Sequence, residues 1–196
     1  MSAKLRILVA TAVAVTVLVP SAVLALTNWD AEVEDIGDGD TFTANVDYEG
    51  DGSFNTSADV RMTGIQAMEL DKDGYAEPDF KGPCMGPKAA TRLLRLIEGE
   101  QVVLSAQFPD SAGSHNRPKR FVSFDVDGDG DREDVGRLMI REGLALWSSS
   151  PDEWTKNLDY YKAAKAAQGD KVGLWNPTYG GDRCSPASAA ERKIDM

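Results

Sequence analysis

The chain has 196 residues, 42% of them hydrophobic and 27% charged, and a formal net charge of -11 from 21 Lys plus Arg against 32 Asp plus Glu. That is the length of one ordinary domain with appendages and the composition of a globular protein, which excludes a wholly disordered chain or a collagen-like repeat. Two cysteines and one histidine exclude a dense disulfide scaffold, a four-thiolate zinc site and a multi-histidine metal centre.

Residues 1–25 read as an export signal. Lys4 and Arg6 open the segment, Ile7 to Val19 is apolar, Pro20 breaks the run, and Val23-Leu24-Ala25 offers small residues before a cut. The run is short for a membrane span and no second one follows, so the expected mature protein is secreted and has no stable membrane partner. Losing Lys4 and Arg6 takes the formal charge from -11 to -13. In an oxidising compartment, Cys84 and Cys184 are expected to form one disulfide. It would close a loop of about 100 residues, which the chain-entropy account credits with roughly 4–5 kcal/mol.

Beyond the signal, Trp29 to Asp35, Thr41 to Tyr48 and Ala58 to Ile65 alternate apolar and polar residues, and they read as three strands. Lys88 to Glu98 places Ala90, Leu93, Leu94 and Ile97 at helical spacing, and Gly99 stops that helix. Glu100 to Phe108 and Phe121 to Val126 read as two further strands. Val135 to Glu142 is a short helix, and Asp152 to Ala167 is a third, with Trp154, Leu158 and Tyr161 as its expected buried face. Trp147, Trp154 and Trp175 are expected in the core. After Trp175 the composition turns to Gly, Ser, Pro and Ala, so residues 178–196 read as a flexible tail. The order predicts an α+β fold, mainly β: a five-stranded Greek-key barrel of the oligonucleotide-binding type with three helices. Periodicity alone does not separate it from another small α+β fold.

Three stretches carry chemistry: VEDIGDGDTF at 33–42, VRMTGIQAME at 60–69, and RLMIREGLA at 137–145, followed by GLWNP at 173–177. Together with an arginine ahead of the fifth strand, they resemble the staphylococcal nuclease-like (thermonuclease) family over about residues 30–177. The resemblance implies hydrolysis of DNA or RNA phosphodiesters with Ca²⁺. It places a calcium carboxylate at Asp40, a phosphate-binding arginine at Arg61 and the general base for water at Glu69. A second phosphate-binding arginine falls at Arg120, with Arg117 as the alternative. Those residue types suit phosphodiester hydrolysis, because hard dications take carboxylate oxygens, guanidinium groups clamp phosphate bidentately, and a placed carboxylate accepts a proton from water.

One ligand position departs from the family pattern. Its second metal carboxylate falls at Gln66, followed by Ala67, whose backbone oxygen can still coordinate. The site loses a negative charge, and calcium affinity follows ligand charge, so weak metal binding is expected. The alternative is a catalytically impaired binding module for nucleic acid, polysaccharide or protein on the same barrel. The acidic balance also opposes long-range steering of a polyanion. A second acidic set, Asp125, Asp127 and Asp129, begins like a calcium loop but has Gly136 where a closing Glu belongs, and it reads either as a second calcium site or as a solvated hairpin tip. The oligomeric state stays open, with a monomer as the expectation.

Overall fold

The computed structural model describes residues 25–70 and 85–176. The signal segment before Ala25, both cysteines and the tail at 178–196 lie outside those residues.

The strands expected from alternation form β1 (Thr27–Ile36), β2 (Thr41–Asp47), β3 (Thr56–Met62), β5 (Gln101–Ala106) and β6 (Lys119–Phe124). Three short strands join them: β4 (Ile65–Ala67), β7 (Glu133–Asp134) and β8 (Ala145–Trp147). The main sheet runs β3-β2-β1-β5-β6-β7, and β3 also pairs with β6, so the five long strands return upon themselves as a small barrel. That last pairing is parallel and sets Arg61 beside Lys119 and Met62 beside Arg120. Strand β1 pairs with both β2 and β5 over Asp30–Glu32 and changes register against β2 between Val33 and Asp35.

The inward residues are the apolar members of each alternation: Ala31 and Val33, Phe42, Ala44 and Val46, Val60 and Met62, Val102 and Leu104, and Val122. Helix α1 (Gly86–Ile97) buries Ala89, Ala90, Leu93, Leu96 and Ile97. Helix α2 (Val135–Arg141) buries Met139 and Ile140, and Asp134 caps it by accepting from the Arg137 N–H. The Asp134 carboxylate also takes the Tyr160 hydroxyl at 2.7 Å and Lys156 Nζ at 2.6 Å, which ties α2 to α3 (Asn157–Asp170). Among the described residues no helix is long and apolar enough to cross a membrane.

The third helix begins at Asn157 rather than at Asp152, so Trp154 precedes it, and its expected face also needs correction. Trp154, Leu158 and Tyr161 are 50%, 63% and 43% exposed, whereas Tyr160, Ala163, Ala164 and Ala167 pack inward. Helix α3 lies mainly against α2, where close approach favours small residues on the contact side, and the alanines let Tyr160 reach the Phe121 ring edge-on at 6.0 Å. The aromatic stripe therefore sits on the outer side, with Trp147 and Tyr161 in edge contact at 5.3 Å.

Candidate functional site

The turn between β1 and β2 builds one wall of a cleft. Gly37 and Asp38 both donate backbone N–H groups to the Thr41 carbonyl, and the Asp38 carboxylate accepts the Asp40 N–H at 2.8 Å. Gly39 is required by space: a Cβ there would lie 2.5 Å from the Ala89 Cβ and 2.7 Å from the Ala67 Cβ. The turn is thereby pressed between α1 and β4. Asp40, 3% exposed, points into the contact, and its Oδ2 accepts the Ala67 N–H at 2.6 Å. Gly86 opens α1 close against the carbonyls of Met68 and Glu69, which fixes the stretch after β4 beneath the helix.

Arg61 comes from the end of β3, directly opposite Thr41 in the ladder. Its Nη1 pairs with Asp40 Oδ1 and lies 3.3 Å from the Asp40 carbonyl. Its Nη2 donates to the Ile65 carbonyl at 3.2 Å and to Gln66 Oε1 at 2.7 Å. Gln66 turns its amide nitrogen the other way, to the Ala67 carbonyl at 3.0 Å and Glu69 Oε1 at 3.4 Å. Glu69 is exposed at the rim. The structure thus brings Asp40, Arg61, Gln66, Ala67 and Glu69 into one cleft.

Arg120 does not join them. It is 4% exposed, and its guanidinium donates to the carbonyls of Pro109, Ser111 and Lys119 and lies 4.5 Å from the centre of the Trp29 ring. It fastens the 109–111 segment to β6. The second cleft arginine is Arg117, the alternative in the family pattern. Arg117 Nη1 reaches Thr41 Oγ1 at 3.4 Å, and that hydroxyl donates to Asp40 Oδ1 at 3.2 Å. Its other bonds go to the carbonyl and hydroxyl oxygens of Ser114. A tight loop presents it: Gly113 and Arg117 share a 2.7 Å backbone bond, and His115 and Asn116 adopt φ of 60° and 57°. Left-handed backbone at two successive non-glycine residues costs energy and is kept only where the surroundings enforce it.

Burial shapes the charges. Desolvation lowers the Arg61 pKa from its ordinary value, opposed by Asp38 and Glu69, while Arg117 adds to the lowering. Desolvation likewise raises the Asp38 carboxyl, although Arg61, Thr41 and Arg117 pull it down.

The donor set does not fit a hard dication. Calcium takes about six to eight oxygens and keeps some of its waters. Both Asp40 oxygens already accept N–H groups, one of them cationic, and so little of the residue is exposed that waters have no access. Gln66 Oε1 faces a guanidinium, and the Ala67 carbonyl faces the Gln66 amide. Among the described residues the one group of three carboxylates with oxygens within 4.8 Å of one another is Asp125, Asp127 and Asp129, at the tip of the β6–β7 hairpin. Backbone amides account for that tip: Asp125 accepts from Gly128 and Gly130, and Asp129 from Asp131. The β2–β3 hairpin has the same construction. There Asp47 accepts from Gly50, Asp51 and Gly52, and Asp51 from Ser53, so DYEGDGS repeats the pattern of DVDGDGD.

Alternation gave no sign of Glu153, which lies in a loop. It is fully buried and accepts the N–H groups of Gln107 at 2.6 Å and Phe108 at 2.9 Å. With Arg120 it anchors the segment that leads to Arg117.

Residues 59–177 match the family described as staphylococcal nuclease homologue. No curated protein matches the chain.

Proposed function

The chain belongs to the staphylococcal nuclease homologue family, and from that premise we propose that it is an exported phosphodiesterase acting on DNA or RNA at the cleft between the Asp38–Asp40 turn, β4 and the 113–118 loop. Arg117 receives the phosphate, Arg61 adds its charge from its place against Asp40, and Glu69, at the rim, takes a proton from the attacking water. Paired guanidinium groups beside a displaced charge stabilise the transition state, and removing one such donor typically costs about 10²–10³-fold in rate. The observation that carries the reading is the convergence of two arginines and one exposed glutamate around Asp40 from four separate stretches of chain. No step is routed through calcium, because the donors do not fit it. Cys84 and Cys184 as a disulfide suit the same exported setting.

The test is digestion of plasmid DNA and of RNA by the wild type, Glu69→Gln, Arg117→Ala and Arg61→Ala, at a temperature where each is folded. Each variant is expected to lose about 10²-fold or more. Equal rates in all four overturn the assignment. One observation favours a second reading, a module that binds without cleaving: both terminal nitrogens of Arg61 already meet two acceptors of the chain itself. That reading is upheld by oligonucleotide binding that depends on Arg117 in a protein with no cleavage.

A further inference from the structure

We propose that Arg61, held in place by Gln66, is the resident counter-charge of Asp40, so that this cleft receives its phosphodiester without calcium. The proposal rests on the cleft being the phosphate site and adds which cation does the work there. Three observations carry it.

A buried carboxylate must be paired, because an isolated charge in the interior is far more costly than a matched one. Asp40 is 3% exposed, and the cation touching it is Arg61. An ion could reach Asp40 only by breaking the 2.6 Å bond from Ala67 or by displacing the guanidinium. Gly39, wedged between Ala67 and Ala89, leaves the turn no room to slide aside.

Gln66 makes this arrangement self-consistent. Its oxygen accepts from Arg61, and its nitrogen donates to the Ala67 carbonyl and to Glu69. The reverse orientation would set the amide oxygen against two acceptors and the amide nitrogen against a guanidinium, so the network itself fixes which end is which. A carboxylate at position 66 has no N–H for the Ala67 carbonyl or for Glu69. It would leave three sets of oxygen lone pairs facing one another, and a dication would relieve them. Position 66 thus decides whether the cleft calls for a metal.

The third observation is Arg117, whose hydrogen bonds go to neutral oxygens of Ser114 and Thr41. Its charge is not spent on a bonded carboxylate and faces the incoming phosphate.

The experiment uses the full chain carrying Asp127→Asn, which removes one tip carboxylate from the count. Thermal unfolding is followed with and without 5 mM (about five times a millimolar Kd) CaCl₂, and binding of a fluorescein-labelled single-stranded DNA is followed by anisotropy in calcium or in EDTA at fixed ionic strength. In the Asp127→Asn chain the Tm is expected to move by less than about 1 °C with calcium, and by about 3 °C or more once Gln66→Asp is added. Gln66→Glu serves as a second carboxylate should Gln66→Asp not fold. The DNA Kd is expected to change by less than about twofold on chelation and to weaken about tenfold in Arg117→Ala. A calcium-dependent Tm rise of about 3 °C that vanishes on adding Asp40→Asn overturns the proposal, as does a tenfold loss of DNA binding on chelation. Folded carboxylate variants that gain no calcium response overturn it too. DNA binding that ignores Arg117→Ala counts instead against the cleft as a phosphate site, and the calcium arm still reports on Asp40 by itself.

Discussion

Arg61 and Arg120 leave adjacent strands one register step apart, and they do opposite things. Arg61 ends β3, pairs with a buried carboxylate and borders a cleft. Arg120 begins the body of β6, turns away from that cleft, and gives its hydrogen bonds to three backbone carbonyls. Both are desolvated, and burial lowers both pKa values from the ordinary arginine value. The difference lies in what each would leave behind. Removing Arg61 orphans one charge, Asp40. Removing Arg120 takes a donor from the carbonyls of Pro109 and Ser111 in the loop and of Lys119 on β6, and a cation from the Trp29 ring. What sets Arg61 apart is that two of its partners, Asp40 and Gln66, are polar side chains of the same cluster.

The largest effect that tests this contrast is Arg120→Ala. Three carbonyl bonds from a charged donor and the ring contact should be worth roughly 3–4 kcal/mol together, read as a lowered urea midpoint at unchanged slope. Because no single carboxylate is orphaned, Asp40→Asn should recover none of it. Recovery by Asp40→Asn would show that the two arginines share one network.

Next comes Arg61→Ala, expected to cost about 3 kcal/mol, since it leaves Asp40 buried without its cation; this is the low end for breaking a buried pair, because the Arg61 side chain is 17% exposed. Here Asp40→Asn should restore a good part of the loss, with a coupling of about 1–2 kcal/mol in the double-mutant cycle. An additive cycle would sever the ion pair from stability and blunt the comparison.

The two arginines also show where sequence reading stops. The family resemblance, rather than alternation, picks out Asp40, Arg61, Gln66, Ala67 and Glu69, and these residues lie side by side in one hydrogen-bonded cluster. Arg117 and Arg120 lie three apart ahead of the same strand. Alternation cannot choose between them, because β6 is covered on both faces: Val122 enters the barrel and Phe121 packs under Tyr160, each at most 1% exposed. What decides is the loop, with its left-handed His115 and Asn116, and loop geometry leaves no periodic trace. The α3 face failed for a related reason. A stripe of Trp154, Leu158 and Tyr161 outweighs alanines on any hydrophobic count, yet close packing selects the small residues. Glu153 carries no period at all, and β4, β7 and β8 are too short to show one.

The smallest expected effect concerns Asp38, half-buried beside both cleft arginines. Burial raises its carboxyl pKa above the ordinary 3.8 despite Arg61, Thr41 and Arg117. A raised folded-state value means that Asp38 burdens the fold least at low pH, where the folded and unfolded chains both hold the proton. The burden grows as pH rises through the folded value and the buried group must ionise. Asp38→Asn should therefore raise the Tm by a degree or so at pH 7 (about the scale of a few tenths of a kcal/mol) and do nothing measurable at pH 3. Asp47 supplies the opposite sign. Against some desolvation, the backbone N–H groups of Gly52, Gly50, Asp51 and Glu49 hold its carboxyl below 3.8, so Asp47→Asn should destabilise at pH 7 and lose its effect as pH falls through that lowered value. If Asp38→Asn instead destabilises at neutral pH, then Asp38 is acting as a working counter-ion for Arg117. The cleft would then spend both of its arginines on its own carboxylates, and the contrast with Arg120 would narrow to a difference in partners alone.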